Sequence, residues 1–433
     1  MIARLGRLCF RRRRTTLAVW ILALVGVGVF GNVVVGPAFS SEFEIPASES
    51  ASGFDLLAEY FPDQGGSGQS GSIVFRAEEG VETPAIRAAM TEMFGAVAEL
   101  EGVSVVSPYD ERGVGQIDST GTIAYASVNL DESLDQLEMS EVGDEIGHLV
   151  PEIDGLTVEV GGAALSEFEP PESELIGLGF AIIVLILSFG SVLAMGLPIG
   201  VALFGVGVGA SLVALFSNFV TIPDFATTLG AMIGIAVGID YALFIVTRYR
   251  ENLRLGLDRE AAAFGAMDTA GRAVVFAGVT VVVSLLGMLL IGLEFISGLG
   301  IGAASTVAVT MVASITLLPA LLGFAGDRME VTRWRGMLAA GLVAVALFGA
   351  GLSIDPLLLG APLAVVVLLA GFAIRPLRRE LPPRRERPMR ETVPYRWSRF
   401  VQRHPWSVLG IGTLGMLVLA APVLTLRLGF ADE

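Results

Sequence analysis

Residues 227–248 read Thr-Thr-Leu-Gly-Ala-Met-Ile-Gly-Ile-Ala-Val-Gly-Ile-Asp-Tyr-Ala-Leu-Phe-Ile-Val-Thr-Arg. A helix that crosses a bilayer needs about 20 mostly apolar residues, and this stretch supplies them. Asp240 is its one acid, about two turns (roughly 3.6 residues each) before Arg248. An ionised carboxylate at that depth costs roughly 2.5–3.5 kcal/mol on insertion scales, and desolvation favours its protonated form. Such a group takes up and releases protons when its surroundings alternate between wet and dry. Tyr241 adds a hydroxyl that both donates and accepts. Gly230, Gly234 and Gly238 recur every four residues, so one helix face is nearly bare and another helix can come close near Asp240. The bland alternative is a carboxylate bonded to a neighbouring helix for packing alone. Intramembrane acids are functional by default, so Asp240 and Tyr241 are assigned here as a proton relay.

The chain around this span has the same character. It has 433 residues, 53% apolar, with 53 glycines, and a mean hydropathy of +0.70. A soluble domain is about 45–50% apolar with glycine already counted, so an integral membrane protein is expected. Nine apolar segments read as spans: 16–36, 174–191, 197–218, 227–247, 273–293, 298–322, 337–353, 356–374 and 406–426. A cleavable signal peptide in the first 40 residues is the less favoured reading, because the apolar stretch exceeds the usual 7–15 residues.

Charge orients these spans. The net charge is −16, from 28 basic residues and 44 acids. Residues 37–174 hold 29 of the acids and only Arg76, Arg87 and Arg112, a net of 3 − 29 = −26. The remainder holds 25 arginines and 15 acids, a net of +10. Arg11 to Arg14 place the N-terminus in the cytoplasm by the positive-inside rule. Alternation then puts residues 37–173 outside. It puts the arginines around 248–272, 328–335 and 375–403 inside. A greasy, acidic chain of this kind excludes a general nucleic-acid binder.

Between the first two spans the apolar period switches. Residues 72–76, 103–108, 122–130 and 156–160 alternate like strands. Residues 84–100 and 133–150 have helical spacing, with Thr83 as N-cap and Pro84 at the first position. The order β-α-β-β-α-β is that of a ferredoxin-like fold. A further helix is read at 53–61, through Phe54, Leu57 and Phe61, followed by a Gly-rich loop at 63–68.

Chemistry outside Asp240 is sparse. Cys9 is the single cysteine, and His148 and His404 stand in different segments, so no disulfide, metal site or cofactor site is expected. Thr280, Ser284, Ser305, Thr306 and Thr310 lie on the fifth and sixth spans. Their hydroxyls are expected to bond their own backbone at i−4, and they would also suit a polar path to Asp240. Residues 249–271 read as a surface helix capped by Asp258. The arginine-rich linker is expected to touch anionic lipid.

The run Gly238-Ile-Asp-Tyr-Ala-Leu-Phe-Ile-Val-Thr-Arg-Tyr-Arg-Glu251 resembles the fourth-span signature of the MMPL family, the mycobacterial-membrane-protein-large transporters of the resistance-nodulation-division (RND) superfamily. Phe61-Pro62 with its Gly-rich loop, the sequence 317–322 and the layout of one span, a large outer loop and five spans are similar too. The resemblance covers about 1–325 and 395–433. It implies a polytopic α-helical membrane protein with an extracytoplasmic porter domain of ferredoxin-like α+β fold. It also implies a multi-pass place in the cytoplasmic membrane and proton-driven export of lipids or other hydrophobic molecules. The implied partners are such a substrate, protons and membrane lipids, with no enzymatic activity. In the family the Asp-Tyr pair works with a second pair in the tenth span. That pair is absent here, so the chain reads as an N-terminal half whose C-terminal half belongs to the same or a separate chain.

The resulting divisions are a first span (1–36), a porter-like domain (37–173) and a five-span bundle (174–325). A linker with an inserted hairpin (326–405, hairpin 337–374) and the first span of a second half (406–433) follow. A homodimer, a protein-secretion accessory of the same superfamily and a non-transporting lipid sensor remain the alternatives.

Overall fold

The computed structural model describes residues 1–39, 70–131, 136–151, 153–162, 173–326, 333–371 and 393–426, with isolated positions between them. The expected helix at 53–61, the loop at 63–68, most of the arginine-rich linker and residues 427–433 lie outside the described residues. The chain divides into two compact units, Met1–Leu381 and Pro382–Glu433.

Among the described residues, seven helices are long and apolar enough to cross a membrane. They are Arg13–Val35, Val192–Phe216, Ala226–Arg254, Arg259–Ile291, Glu294–Ala325, Trp334–Gly351 and Pro405–Thr425. The expected second and eighth spans are the shorter apolar helices Ser173–Phe189 and Asp355–Ala370. At 1.5 Å per residue a 17-residue helix is about 25 Å long, less than the roughly 30 Å hydrocarbon core. The eighth segment is also broken in two, at Asp355–Leu358 and Gly360–Ala370.

In the first unit, helix α1 (Ile2–Arg11) is amphipathic and precedes α2 (Arg13–Val29), which continues as a wider turn over Phe30–Val35. Helices α5 (Ser173–Phe189), α6 (Val192–Phe216), α7 (Ala226–Arg254), α8 (Arg259–Leu286) and α9 (Glu294–Ala325) form the bundle. Its centre is the mutual packing of α6, α7 and α9. Residues 249–271 are not a separate surface helix. Helix α7 runs on to Arg254 and α8 starts at Arg259, so only a tight turn separates them. Asp258 caps α8 as expected, with its Oδ1 accepting from the Ala261 amide at 2.8 Å.

Helix α1 was not foreseen. Its small residues Ala3, Gly6 and Cys9 are buried, and it packs on α8 and α9. Arg7 and Arg11 both reach Glu260 in the first turn of α8, at 3.5 and 2.8 Å. The Arg13 guanidinium bonds the Gly323 carbonyl. The Arg250 guanidinium bonds the Phe189 carbonyl at 3.3 Å. These contacts gather the basic runs of α1, α2, α7 and α8 at one end of the bundle. The hairpin of α10 (Trp334–Gly351), α11 (Asp355–Leu358) and α12 (Gly360–Ala370) lies against α5 through α10. Phe180 meets Phe348 edge-on there, with centroids 5.0 Å apart.

The α+β segment contains β1 (Ser70–Ala77), α3 (Pro84–Val97), β2 (Val103–Val106), β3 (Ile123–Leu130), α4 (Gln136–His148) and β4 (Leu156–Gly161). The strands form one sheet in the order β2-β3-β1-β4, and all three pairings are antiparallel. Alternate residues of β1 and β3, including Ile73, Phe75, Ala126 and Val128, are buried with Met90, Met93 and Phe94 of α3. Pro84 occupies the first turn of α3, but Thr83 makes no side-chain cap bond. Its hydroxyl donates to the Glu79 carbonyl instead, at 3.0 Å.

In the second unit, α13 (Val393–Arg403) leads into α14 (Pro405–Ala420), in which no residue is buried.

Candidate functional site around Asp240

Helix α7 turns two dissimilar faces outward from its axis. Gly230, Gly234 and Gly238 face the bundle interior. A methyl group at Gly234 would fall 2.8 Å from Thr306 Cγ2 and from Val206 Cγ2, and one at Gly238 2.6 Å from Thr310 Cγ2. On α6, methyls at Gly205 and Gly209 would fall 2.8 and 2.9 Å from the Cα atoms of Thr310 and Thr306. Five glycines thus surround two threonines of α9, which is how small residues let membrane helices approach closely. Thr306 and Thr310 are buried, and their hydroxyls bond their own i−4 carbonyls at 3.1 and 2.8 Å. Thr280 bonds Phe276 in the same way, at 2.9 Å.

Asp240 is on another face. Successive residues of an α-helix are about 100° apart, so Asp240 stands roughly 200° round from Gly238. The close approach expected beside Asp240 is therefore turned away from it, into α6 and α9. Thr306 and Thr310 sit against the glycines, Ser305 is half-buried, and Thr280 and Ser284 are exposed on α8. The structure gathers Gly230, Gly234, Gly238, Thr306 and Thr310 at one junction. Tyr241 is half-buried, packed against the main apolar core.

Asp240 belongs to an exposed stripe of α7 formed by Met232, Ala236, Asp240, Phe244, Thr247 and Glu251. Among the described residues its carboxylate makes no hydrogen bond or ion pair. It opens into a cavity of about 330 Å³ whose lining includes Met232, Ile235 and Ala236 of α7 and Ser173, Glu174 and Gly177 of α5.

Glu174 was not singled out by the sequence. It enters the cavity because α5 is short and fixed at its far end. Arg250 bonds Phe189 and lies over its ring at 5.2 Å, which levels Phe189 with Arg250. Counting 189 − 173 = 16 residues, or about 24 Å, back along both helices brings Ser173 level with Gly234. Glu174 thus begins well below the start of α7 at Ala226. Two carboxylates and the Ser173 hydroxyl therefore share one cavity beside a membrane-crossing helix. Among the described residues no group of three His, Cys, Asp or Glu could hold a metal ion.

The model of the MMPL family matches residues 42–345. The chain belongs to the MMPL family. It is 35% identical over 346 residues to the membrane protein YdfJ of Bacillus subtilis, a match that covers 76% of this chain and 46% of that protein. To the mycolic acid-containing lipids exporter MmpL11 of Mycolicibacterium smegmatis it is 28% identical, over 98% of this chain and 41% of the relative. To the heme uptake protein MmpL11 of Mycobacterium tuberculosis it is 30% identical, over 76% of this chain and 36% of the relative. The chain spans less than half the length of each of these relatives. Membership together with the apolar helices makes this a multi-pass membrane protein of a transporter family.

Proposed function

We propose that this MMPL chain is the N-terminal half of a transporter that uses protons to export lipids or other hydrophobic molecules across the cytoplasmic membrane. One observation carries the reading. Among the described residues Asp240 is an unpaired carboxylate, on the exposed stripe of a helix long enough to cross the bilayer. A charge at that depth faces protein or a wet cavity, not hydrocarbon. The stripe is therefore a seam for further helices, which a second half supplies, in the same or a separate chain. Protonation of Asp240 weakens its bonds to the facing helices and lets the two bundles rock. Each proton carried inward across the whole membrane releases about 2.3 kcal/mol per 100 mV. Tyr241 and Glu174 flank this step.

The basic runs gathered at one end of the bundle support an N-terminus in the cytoplasm. The strand order of the α+β segment, with its two helices, supports a ferredoxin-like porter domain outside. An additional span after the linker, Pro405–Thr425, is read as the start of the second half. Lipid as the cargo is supported by the name of the Mycolicibacterium smegmatis relative.

The test is Asp240→Asn in the complete two-half protein, reconstituted in vesicles with an imposed proton gradient. Lipid efflux falls to background while membrane insertion is unchanged. Proton-coupled efflux at the wild-type rate would sink the reading. The Mycobacterium tuberculosis relative is named for heme uptake, which favours a second reading with inward movement. The side of the vesicle on which labelled cargo accumulates separates the two.

A further inference from the structure

A second cavity, of about 670 Å³, opens on the bundle surface between α1, α2, α6 and α9 and shares no lining residue with that of Asp240. Its volume is in the range of small-molecule and lipid sites. Val19 and Ala23 of α2, Val208 of α6 and Val309 and Val312 of α9 make an apolar trough. Val19 and Val312 are 63% and 42% exposed, so the trough is open along its length to whatever surrounds the helices. In a multi-pass membrane protein that surrounding is acyl chain wherever no further helix covers the trough.

One end of the trough is different in kind. Arg12 stands at the break between α1 and α2, where the backbone leaves helical geometry (φ −94°, ψ 39°). The Thr15 and Thr16 hydroxyls, also in the lining, donate to the Arg12 carbonyl at 2.7 and 3.2 Å and so fix the break. Of the neighbouring arginines, Arg7 and Arg11 are committed to Glu260 and Arg13 to Gly323 and the Phe324 ring, while Arg4 and Arg14 are exposed and do not line the trough. Among the described residues no carboxylate pairs with Arg12. An apolar trough ending in an unpaired guanidinium, at the polar end of a membrane helix, has the layout of an acidic amphipath. We infer that the trough holds one anionic phospholipid of the bilayer, with its phosphate on Arg12 and an acyl chain along Val19 and Val312.

The chain's single cysteine supplies the probe. Cys9 lines the same trough and is 7% exposed. The test places the 433-residue chain in nanodiscs of phosphatidylcholine alone or mixed with phosphatidylglycerol. Native mass spectrometry counts retained lipid, and a membrane-permeant maleimide times Cys9 modification. Wild type retains one phosphatidylglycerol and slows Cys9 modification about fivefold relative to phosphatidylcholine alone, the share of one arginine in anionic-lipid attraction. Arg12→Gln abolishes that difference. Val312→Trp, at an exposed position, fills the trough with Arg12 intact and also loses the retained lipid, which keeps the test sound if Arg12→Gln misfolds. Equal retention of both lipids by wild type, or undiminished phosphatidylglycerol retention by either variant, overturns the inference.

Discussion

Asp118 and Asp240 are the same side chain put to opposite uses. Asp118 closes a turn of the α+β segment. Its Oδ1 accepts from the amides of Thr122 and Ile123 at 2.9 and 3.0 Å, and its Oδ2 accepts from the amide and hydroxyl of Thr120. The Thr120 hydroxyl first, and then the Ile123 amide, push its pKa down to about 2. A carboxyl lowered in the folded state adds stability above its unfolded value of 3.8 and loses it as the pH falls through about 2. Asp118→Asn therefore speeds amide exchange at Thr122 and Ile123 at neutral pH, read by hydrogen–deuterium exchange, and leaves the far strands unchanged. Among the described residues Asp240 has no such ligands, which leaves its carboxylate open to a partner. Glu174 tests the cavity they share: Glu174→Gln slows proton-coupled efflux severalfold, where Asp240→Asn abolishes it. Equal rates for Glu174→Gln and wild type would remove Glu174 from the route.

At the scale of elements, the glycine junction predicts the largest stability effect. Gly238→Val drives a branched side chain into Thr310 and Ala202. Overpacking of a tight core costs typically 1–3 kcal/mol, which appears as a lower unfolding temperature in detergent, whereas Gly196→Ala, with nothing within 4 Å, leaves it unchanged. The strap formed by α1 makes a gentler prediction. Its ion pairs to Glu260 are largely exposed and such pairs are worth about 0–1 kcal/mol each. Glu260→Gln leaves the unfolding temperature nearly constant but lets trypsin cut sooner at Arg7 and Arg11. Much of this level was legible in the sequence. Period-two burial in β1 and β3 and the Ile86, Met90, Met93, Phe94 and Val97 face of α3 came through as expected. The strap did not, because Glu260 is 249 residues from Arg11 in the chain. Nor did the place of Glu174, which depends on a 17-residue helix held at Arg250.

For the whole molecule, the separation of charge predicts topology. In a background where Cys9 is serine, Val114→Cys (88% exposed) reacts with an impermeant maleimide on intact cells, while Leu255→Cys (73% exposed) reacts only after the membrane is opened. Reversal of the two would overturn the orientation. The stripe on α7 has a consequence of a different sort. A carboxylate on an uncovered face of a membrane helix is costly, and cells remove unstable proteins faster, so the cellular lifetime of this chain depends on how fast that face is covered. Its abundance then follows the supply of whatever covers it. In a pulse–chase experiment the chain made alone decays quickly, and Asp240→Leu, which removes the charge but not the seam, extends its life without restoring transport.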